Sequence, residues 1–313
     1  MIEHRRTDRS WSVAVFAARE TLDTLTATLD AVLGAIRQHS SVNILVNGNR
    51  VLADELSQRM GCRATANPLA SIRVWWIETG DKAHAWNQYL RHIWNEGELA
   101  MFVDGYARPH PSAFCLLEEG VSFCDHVLLS TGLPGSGRSA KSLAMEILAT
   151  HGVHGNLFCI KPGAMAHMRR VGFHLPVGIY RTDATLGAAV KFGLHPEKNA
   201  WDIKRVFVHP EITWTVPEKF WWRYADAKGH LKRVLRQAQG SLENRAVRYF
   251  YQVRRQRIET LPETVHELID AWVDACPEEA AQLLRNPLCR YAIAKLRGSR
   301  TGRPEDVPLL FYE

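Results

Sequence analysis

A lysine, an asparagine and an aspartate are the first residues here whose types could do chemistry. Lys82-Ala83-His84-Ala85-Trp86-Asn87 is followed, seventeen residues on, by Asp104 in Asp104-Gly105-Tyr106. An Asp-Gly pair also makes a turn, so Asp104 gains a chemical role only where a scaffold sets it among other polar groups. Asn47, in Asn47-Gly48-Asn49, offers a donor and an acceptor together and suits a base edge. Arg19 and Glu20 carry charges that fit the flank of a base or ribose, and fit solvation or helix capping equally well. Asp183 follows Thr182 at the start of a short helical pattern, where either residue can serve as a cap.

A competing pattern lies at Gly132-Leu133-Pro134-Gly135-Ser136-Gly137-Arg138-Ser139, one residue away from a phosphate-binding P-loop. Arginine in place of its lysine is bulky and planar, and no apolar strand ending in Asp follows to hold a metal. The segment therefore reads as a flexible Gly/Ser loop. His151 and His154 sit in Gly-rich sequence without a carboxylate or cysteine to complete a zinc set. They read as loop histidines.

The elements that must position these residues alternate. Trp11 to Ala17, Val42 to Val46, Ile72 to Ile77 and Leu99 to Val103 are apolar runs that predict strands, separated by helix-period segments. Among these, Leu22, Leu25, Leu29, Val32, Leu33 and Ile36 share one helical face. Strands alternating with helices imply a mostly parallel sheet covered on both faces. Ligands of such sheets bind beyond the C-terminal strand ends, which places Arg19, Asn47, Glu78 to Lys82 and Asp104 on one rim. Further strands are expected over His126 to Thr131, Asn156 to Ile160 and Arg205 to His209, with helices over Ala140 to Thr150 and Gly163 to Val171. From about residue 217 the pattern turns helical and charge-blocked, with Pro262 expected in the first turn of a helix carrying Val265, Leu268, Ile269, Trp272 and Val273.

Composition narrows the class. With 313 residues, 46% of them hydrophobic, the chain can bury one large core or two smaller ones. No apolar run approaches the ~20 residues of a membrane span, and Met1 to Ser10 lacks the apolar stretch of a signal peptide, which reads as a cytoplasmic protein. The six cysteines form no C-x-x-C pair and read as buried free thiols. The net charge of +6 is unevenly spread. Eleven Lys or Arg stand between Lys219 and Arg257 against Asp226 and Glu243 alone, and seven acids without a Lys or Arg follow from Glu259 to Glu279. Such blocks either pair with each other or face an anionic partner. Trp221-Trp222 at the head of the basic stretch suits peripheral contact with the inner face of a membrane, and equally a lid or seam against the α/β domain. No nucleic-acid module is present, and the aromatics are not spaced as a stacking platform, which argues against a nucleic-acid partner.

In their order and spacing, the Lys82–Asn87 segment, the strand ending at Asp104, Arg19-Glu20 and Asn47-Gly48-Asn49 resemble the family 2 glycosyltransferases over about residues 10 to 215. That resemblance implies an α/β fold of GT-A type, Rossmann-like, in residues 1–216, followed by a helical C-terminal region, 217–313. It further implies transfer of a sugar from a nucleotide-sugar, with a UDP-sugar as the expected donor, to a hydroxyl acceptor that is a glycan or lipid-linked. Arg19, Glu20, Asn47, Lys82, Asn87 and Asp104 are then the donor-binding residues, with Asn87 better suited to fixing the rim. Asp183 matches the family's acidic acceptor-side motif and is the expected base of an inverting transfer. The family's D-x-D pair holds a divalent cation, Mn²⁺ or Mg²⁺, against the donor diphosphate. Here Tyr106 replaces the second carboxylate and is a poor ligand for a hard cation. His209 is the alternative second ligand, and the fixed charge of Lys82 and Arg108 is the alternative to a metal. The same replacement supports a rival reading, a GT-A-like protein that binds a nucleotide or partner without transferring sugar.

Overall fold

The computed structural model describes residues 10–61, 67–137, 139–217, 224–298 and 304–313, with residues 224–233 described as helical backbone alone. Trp221 and Trp222, singled out above, lie outside the described residues.

Four parallel strands form the centre of the sheet: β1 (Trp11–Ala17), β2 (Ser40–Asn47), β3 (Ala70–Ile77) and β4 (Leu99–Asp104). β1, β2 and β4 are buried throughout while β3 is partly exposed, and alternate side chains of β1 serve opposite layers. Val13 and Val15 pack under one set of helices, Ala14 and Phe16 under the other. The first set is α1 (Leu22–Ala35), α2 (Arg50–Gly61), α4 (Ala113–Ser122) and α5 (Ala140–Thr150); the second begins with α3 (Lys82–Gln88), α6 (Pro162–Val171) and α7 (Thr182–Lys191). Between them run β5 (Arg108–Pro109), β6 (Leu129–Pro134), β7 (Leu157–Ile160) and β8 (Val206–Thr215). Among the described residues the strand order is β5-β8-β6-β7-β4-β1-β2-β3-β9, β9 being the C-terminal strand Leu309–Tyr312. β7 lies antiparallel between β4 and β6, so its start, not its end, meets the C-terminal end of β4.

Several boundaries differ from the sequence reading, for local reasons. β8 runs on past His209 to Thr215, with an irregularity opposite Thr131 and Leu133 that absorbs Pro210. The described residues of the glycine-rich pattern, 132–137 and 139, begin as a strand and not as a phosphate cradle. Gly132, Leu133 and Pro134 belong to β6, and Gly135 N–H is spent on Trp214 O at 2.7 Å. Pro262 does not open a helix either. α9 (Val265–Ala275) starts behind Thr264, whose side chain and Glu267 make a reciprocal capping box. Of the cysteines, Cys159 and Cys289 are buried as expected, whereas Cys124 is exposed.

The C-terminal region is α8 (Tyr224–Arg248), α9, α10 (Pro277–Leu283), α11 (Pro287–Gly298) and a final strand, β9 (Leu309–Tyr312). Leu242 and Ala246 of α8, Leu268 and Trp272 of α9 and Ile293 of α11 share one continuous core with Phe102, Phe158 and Leu186. β9 pairs antiparallel along the outer edge of β3, removing an open strand edge. Just before it, Asp306 accepts from Thr79 N and Oγ1 at 3.2 and 2.8 Å and lies 3.0 Å from His84 Nε2. Among the described residues no helix is long and apolar enough to cross a membrane.

Candidate functional site

Asp104 is the last residue of β4, where the sheet opens between β1 and β7. Its backbone is fixed on both sides: Asp104 N–H donates to Asn156 O at 3.3 Å, and Gly105 N–H to Phe16 O at 2.8 Å. The carboxylate is nearly buried and bonds the Lys82 ammonium. Lys82 comes from the first turn of α3, which Asp81 caps by accepting from His84 N at 2.8 Å. Burial alone would weaken the hold of Lys82 on its proton. Asp104, Asp183 and Glu20 outweigh that and hold the ammonium above its ordinary range. Lys82 is thus a permanent cation set among three carboxylates.

Asp183 lies in the first turn of α7, and each of its oxygens is aimed. Oδ1 accepts from Ala184 N–H and Oδ2 from Gly155 N–H, both at 2.9 Å. Gly155 is where the groups converge. A Cβ on it would stand 3.1 Å from Lys82 Nζ, 3.5 Å from Asp183 Oδ2 and 3.8 Å from Asp104 Oδ2. The structure therefore brings together Lys82, Asp104 and Asp183, with Glu20 close enough for its charge to be felt. Beneath them Phe16, Trp86, Phe158, Leu175 and Leu186 wall a narrow apolar recess.

Tyr106, in the place of a second carboxylate, turns its hydroxyl to the same centre. Asn156, oriented so that its amide oxygen accepts from Trp214 Nε1 at 2.7 Å, points its nitrogen at Asp104 Oδ2 and the Tyr106 hydroxyl oxygen, at 3.1 and 3.2 Å. The Asp104 charge, then burial, push the Tyr106 phenol far above its ordinary range, so it stays protonated. His154 stacks on Trp214 with ring centres 5.2 Å apart. Burial lowers its proton affinity despite the pull of Asp183 and Asp104, which leaves the imidazole neutral at neutral pH.

Other expected site residues have structural work instead. Asn47 is buried and donates to Ala17 O at 3.0 Å, tying the ends of β2 and β1 together. Asn87 is likewise buried; it donates to Leu175 O at 2.9 Å and accepts from Leu175 N at 2.8 Å. Its amide therefore holds the backbone of Leu175 from both sides. Glu20 turns back to accept from Ala18 and Arg19 N–H at 2.7 and 2.9 Å, while the Arg19 residue is exposed on the rim. His209 does not join Asp104. Its contacts among the described residues are Phe207, with ring centres 6.0 Å apart, and Glu211 N–H, which donates to its Nδ1 at 3.1 Å. Arg108 sits on β5 opposite Thr215, its Nε buried without a partner among the described residues.

The donor set does not fit a divalent cation. Asp104 is already bonded to an ammonium, Tyr106 keeps its proton, Asp183 is held by two N–H groups, and no group of three acidic, histidine or cysteine side chains suited to a metal occurs among the described residues.

Sequence reasoning missed His154, Gly155, Asn156 and Trp214. The signal lay in β7: an antiparallel neighbour of β4 delivers its preceding residues, 154–156, to the C-terminal end of β4. Trp214 was lost because the expected last strand stopped at His209.

A central parallel sheet, a carboxylate at the end of β4 and an antiparallel β7 beside it define an α/β fold of the GT-A glycosyltransferase type. Similar solved structures include a mannosyltransferase from Pyrobaculum calidifontis in complex with GDP-Man and Mn²⁺, at 15% identity and a TM-score of 0.57, over 94% of this chain and 76% of that one. Glucosyl-3-phosphoglycerate synthase from Mycobacterium tuberculosis, in complex with Mn²⁺, UDP-glucose and phosphoglyceric acid, is similar at 15% identity and a TM-score of 0.50, over 74% and 78% of the two chains. No protein-family profile matches the chain, and neither does any curated protein.

Proposed function

We propose that this protein is a glycosyltransferase that moves a sugar from a nucleotide-sugar, with a UDP-sugar as the expected donor, to a hydroxyl acceptor. The observation that carries the reading is the convergence of Lys82, Asp104 and Asp183 around Gly155 at the strand ends. The two similar structures described above hold nucleotide-sugars on the same fold, which supports the reading.

In this proposal the acceptor hydroxyl gives its proton to Asp183 as its oxygen bonds the anomeric carbon. The bond from that carbon to the diphosphate breaks, with inversion, and the electron pair leaves on the diphosphate. Lys82 meets the charge that develops there, and Asp104 holds the ammonium in place before reaction, so little reorganisation is needed. The N–H groups of Gly155 and Ala184 keep Asp183 pointed at one spot. His154, neutral and packed on Trp214, walls the acceptor side.

The test is nucleoside diphosphate release from a panel of nucleotide-sugars, alongside thermal stabilisation by the same donors. Asp183→Asn is expected to lose transfer by at least about a hundredfold while donor binding stays nearly intact. Equal turnover in that variant removes Asp183 from the role. Turnover is also expected to survive a chelator, because Lys82 supplies the cation; loss that Mn²⁺ restores would overturn that assignment. Stabilisation by a donor with no release from any of them would favour a nucleotide-binding protein without transferase activity, the reading that Tyr106 supports.

A further inference from the structure

One face of α8 is built against the loop that leads into Asp183. Gln239 Nε2 donates to Gly178 O at 3.1 Å, and the Glu243 carboxylate accepts from Tyr180 and Arg181 N–H at 2.8 and 2.9 Å. Between these residues lies Gly240. A Cβ there would come within 2.7 Å of Arg181 Nε, so the glycine makes the groove along which Arg181 runs. Arg181 Nε is buried with no partner among the described residues, and the charge of this arginine is felt at His154. Arg236, one turn before Gly240, reaches the Tyr180 ring as Arg181 does. Its guanidinium carbon is 6.0 Å from the Tyr180 ring centre, and that of Arg181 is 5.8 Å from it. Tyr180 itself is 41% exposed. Arg245 on the same helix is paired with Glu279, and Arg257 further along the chain with Glu259. Arg181 and Arg236 make no such pair among the described residues, and Glu243 below them is occupied by the loop's own N–H groups.

We propose that Arg181 and Arg236 form an anion subsite beside Asp183, and that the acceptor is a hydroxyl compound carrying a phosphate group. The inference rests on the transferase reading above. Two guanidinium groups that never lose their charge suit a phosphate, whose oxygens can accept from both forks at once. The exposed Tyr180 ring gives the rest of the acceptor a face to lie on. Arg181 also stands at the N-terminal end of α7, whose dipole favours negative charge there. Asp183 is two residues further on, so a phosphate held by the arginines sets a nearby hydroxyl against the base.

The experiment is calorimetric titration of inorganic phosphate into the full chain, alone and saturated with UDP, for the wild type and for Arg181→Gln, Arg236→Gln, Arg236→Lys and Asp104→Ala. Phosphate is expected to bind with UDP present, to weaken at least tenfold in each Gln variant, to weaken less in Arg236→Lys, and to be largely retained in Asp104→Ala. Absence of phosphate binding to the wild type, displacement by UDP, or equal affinity in Arg236→Gln overturns the subsite. UDP that fails to bind counts against the donor reading instead and leaves the phosphate titration legible by itself. Glycerol 3-phosphate and phosphatidylcholine vesicles containing phosphatidic acid, offered in parallel, separate a soluble from a lipid-borne source of the phosphate.

Discussion

At the scale of single residues, the site depends on Lys82 being held charged among carboxylates while facing an apolar recess. Replacing it with methionine keeps the stem and removes the cation. Lys82→Met is expected to lower turnover by about 10²–10³, the range seen when a preorganised partner of developing charge is lost, with the circular dichroism spectrum unchanged. A drop below tenfold in steady-state release assays would mean that the charge of Lys82 is not used. Gly155→Ala probes the same centre from the other side, since the new methyl meets Lys82 and Asp183 at 3.1 and 3.5 Å. Turnover should fall with little change in melting temperature, because the groups displaced are polar and at the rim. Lys82, Asp104 and Asp183 were legible as residue types at strand and helix ends. His154 was not. Its significance arises from a stacking partner sixty residues away in the chain and from burial, neither of which is written beside it.

At the scale of elements, α8 acts on the loop before Asp183 through a single carboxylate. Glu243 is fully buried, accepts from two backbone N–H groups and from Gln239 Nε2 at 2.7 Å, and is pushed up by burial from 4.5 to about 7. A carboxyl raised in the folded state contributes stability that is present below its unfolded value and is lost as pH climbs through about 7. The shift corresponds to ~3 kcal/mol at most. Melting temperatures of the wild type are therefore expected to decline relative to Glu243→Gln between pH 5 and 8; parallel curves would show that Glu243 does not titrate there. Glu243→Ala leaves three donors unpaired and should cost more, on the order of 3 kcal/mol in chemical denaturation. Elements dominated by apolar runs, such as β1, β2 and β4, could be read from the sequence because burial on both faces leaves room for few polar residues, such as the mutually bonded Ser12, Ser41 and Asn43. β8 could not be read to its end, as Pro210 and Glu211 interrupt it. Glu243 did carry a signal: an isolated acid in a strongly basic stretch has a reason to be there.

At the scale of the whole molecule, the sheet and the C-terminal helices share one core. Ile179, Leu186 and Val190 on the sheet side belong with Leu242, Leu268 and Trp272. A fragment ending at residue 216 would expose that surface, at roughly 25 cal/mol for each Å² of apolar area uncovered. It is expected to bind a hydrophobic dye and to melt without a cooperative transition, whereas the full chain unfolds in one step; a cooperative fragment would show that the helices are dispensable. The charge blocks seen in the sequence are partly resolved by pairs such as Arg245–Glu279 and Arg297–Asp270, the bland alternative to an anionic partner for those residues.

The strand β9 has a consequence in time as well as in space. Thr79, at the end of β3, and Asp306, which holds it, are 227 residues apart in the chain. At translation rates of ~5–20 residues per second, β3 leaves the ribosome on the order of ten to fifty seconds before the segment that covers its edge. During that interval a nascent chain with its parallel strands formed would carry an unpaired edge of Trp75 and Trp76, the kind of surface that chaperones hold and neighbouring nascent chains invade.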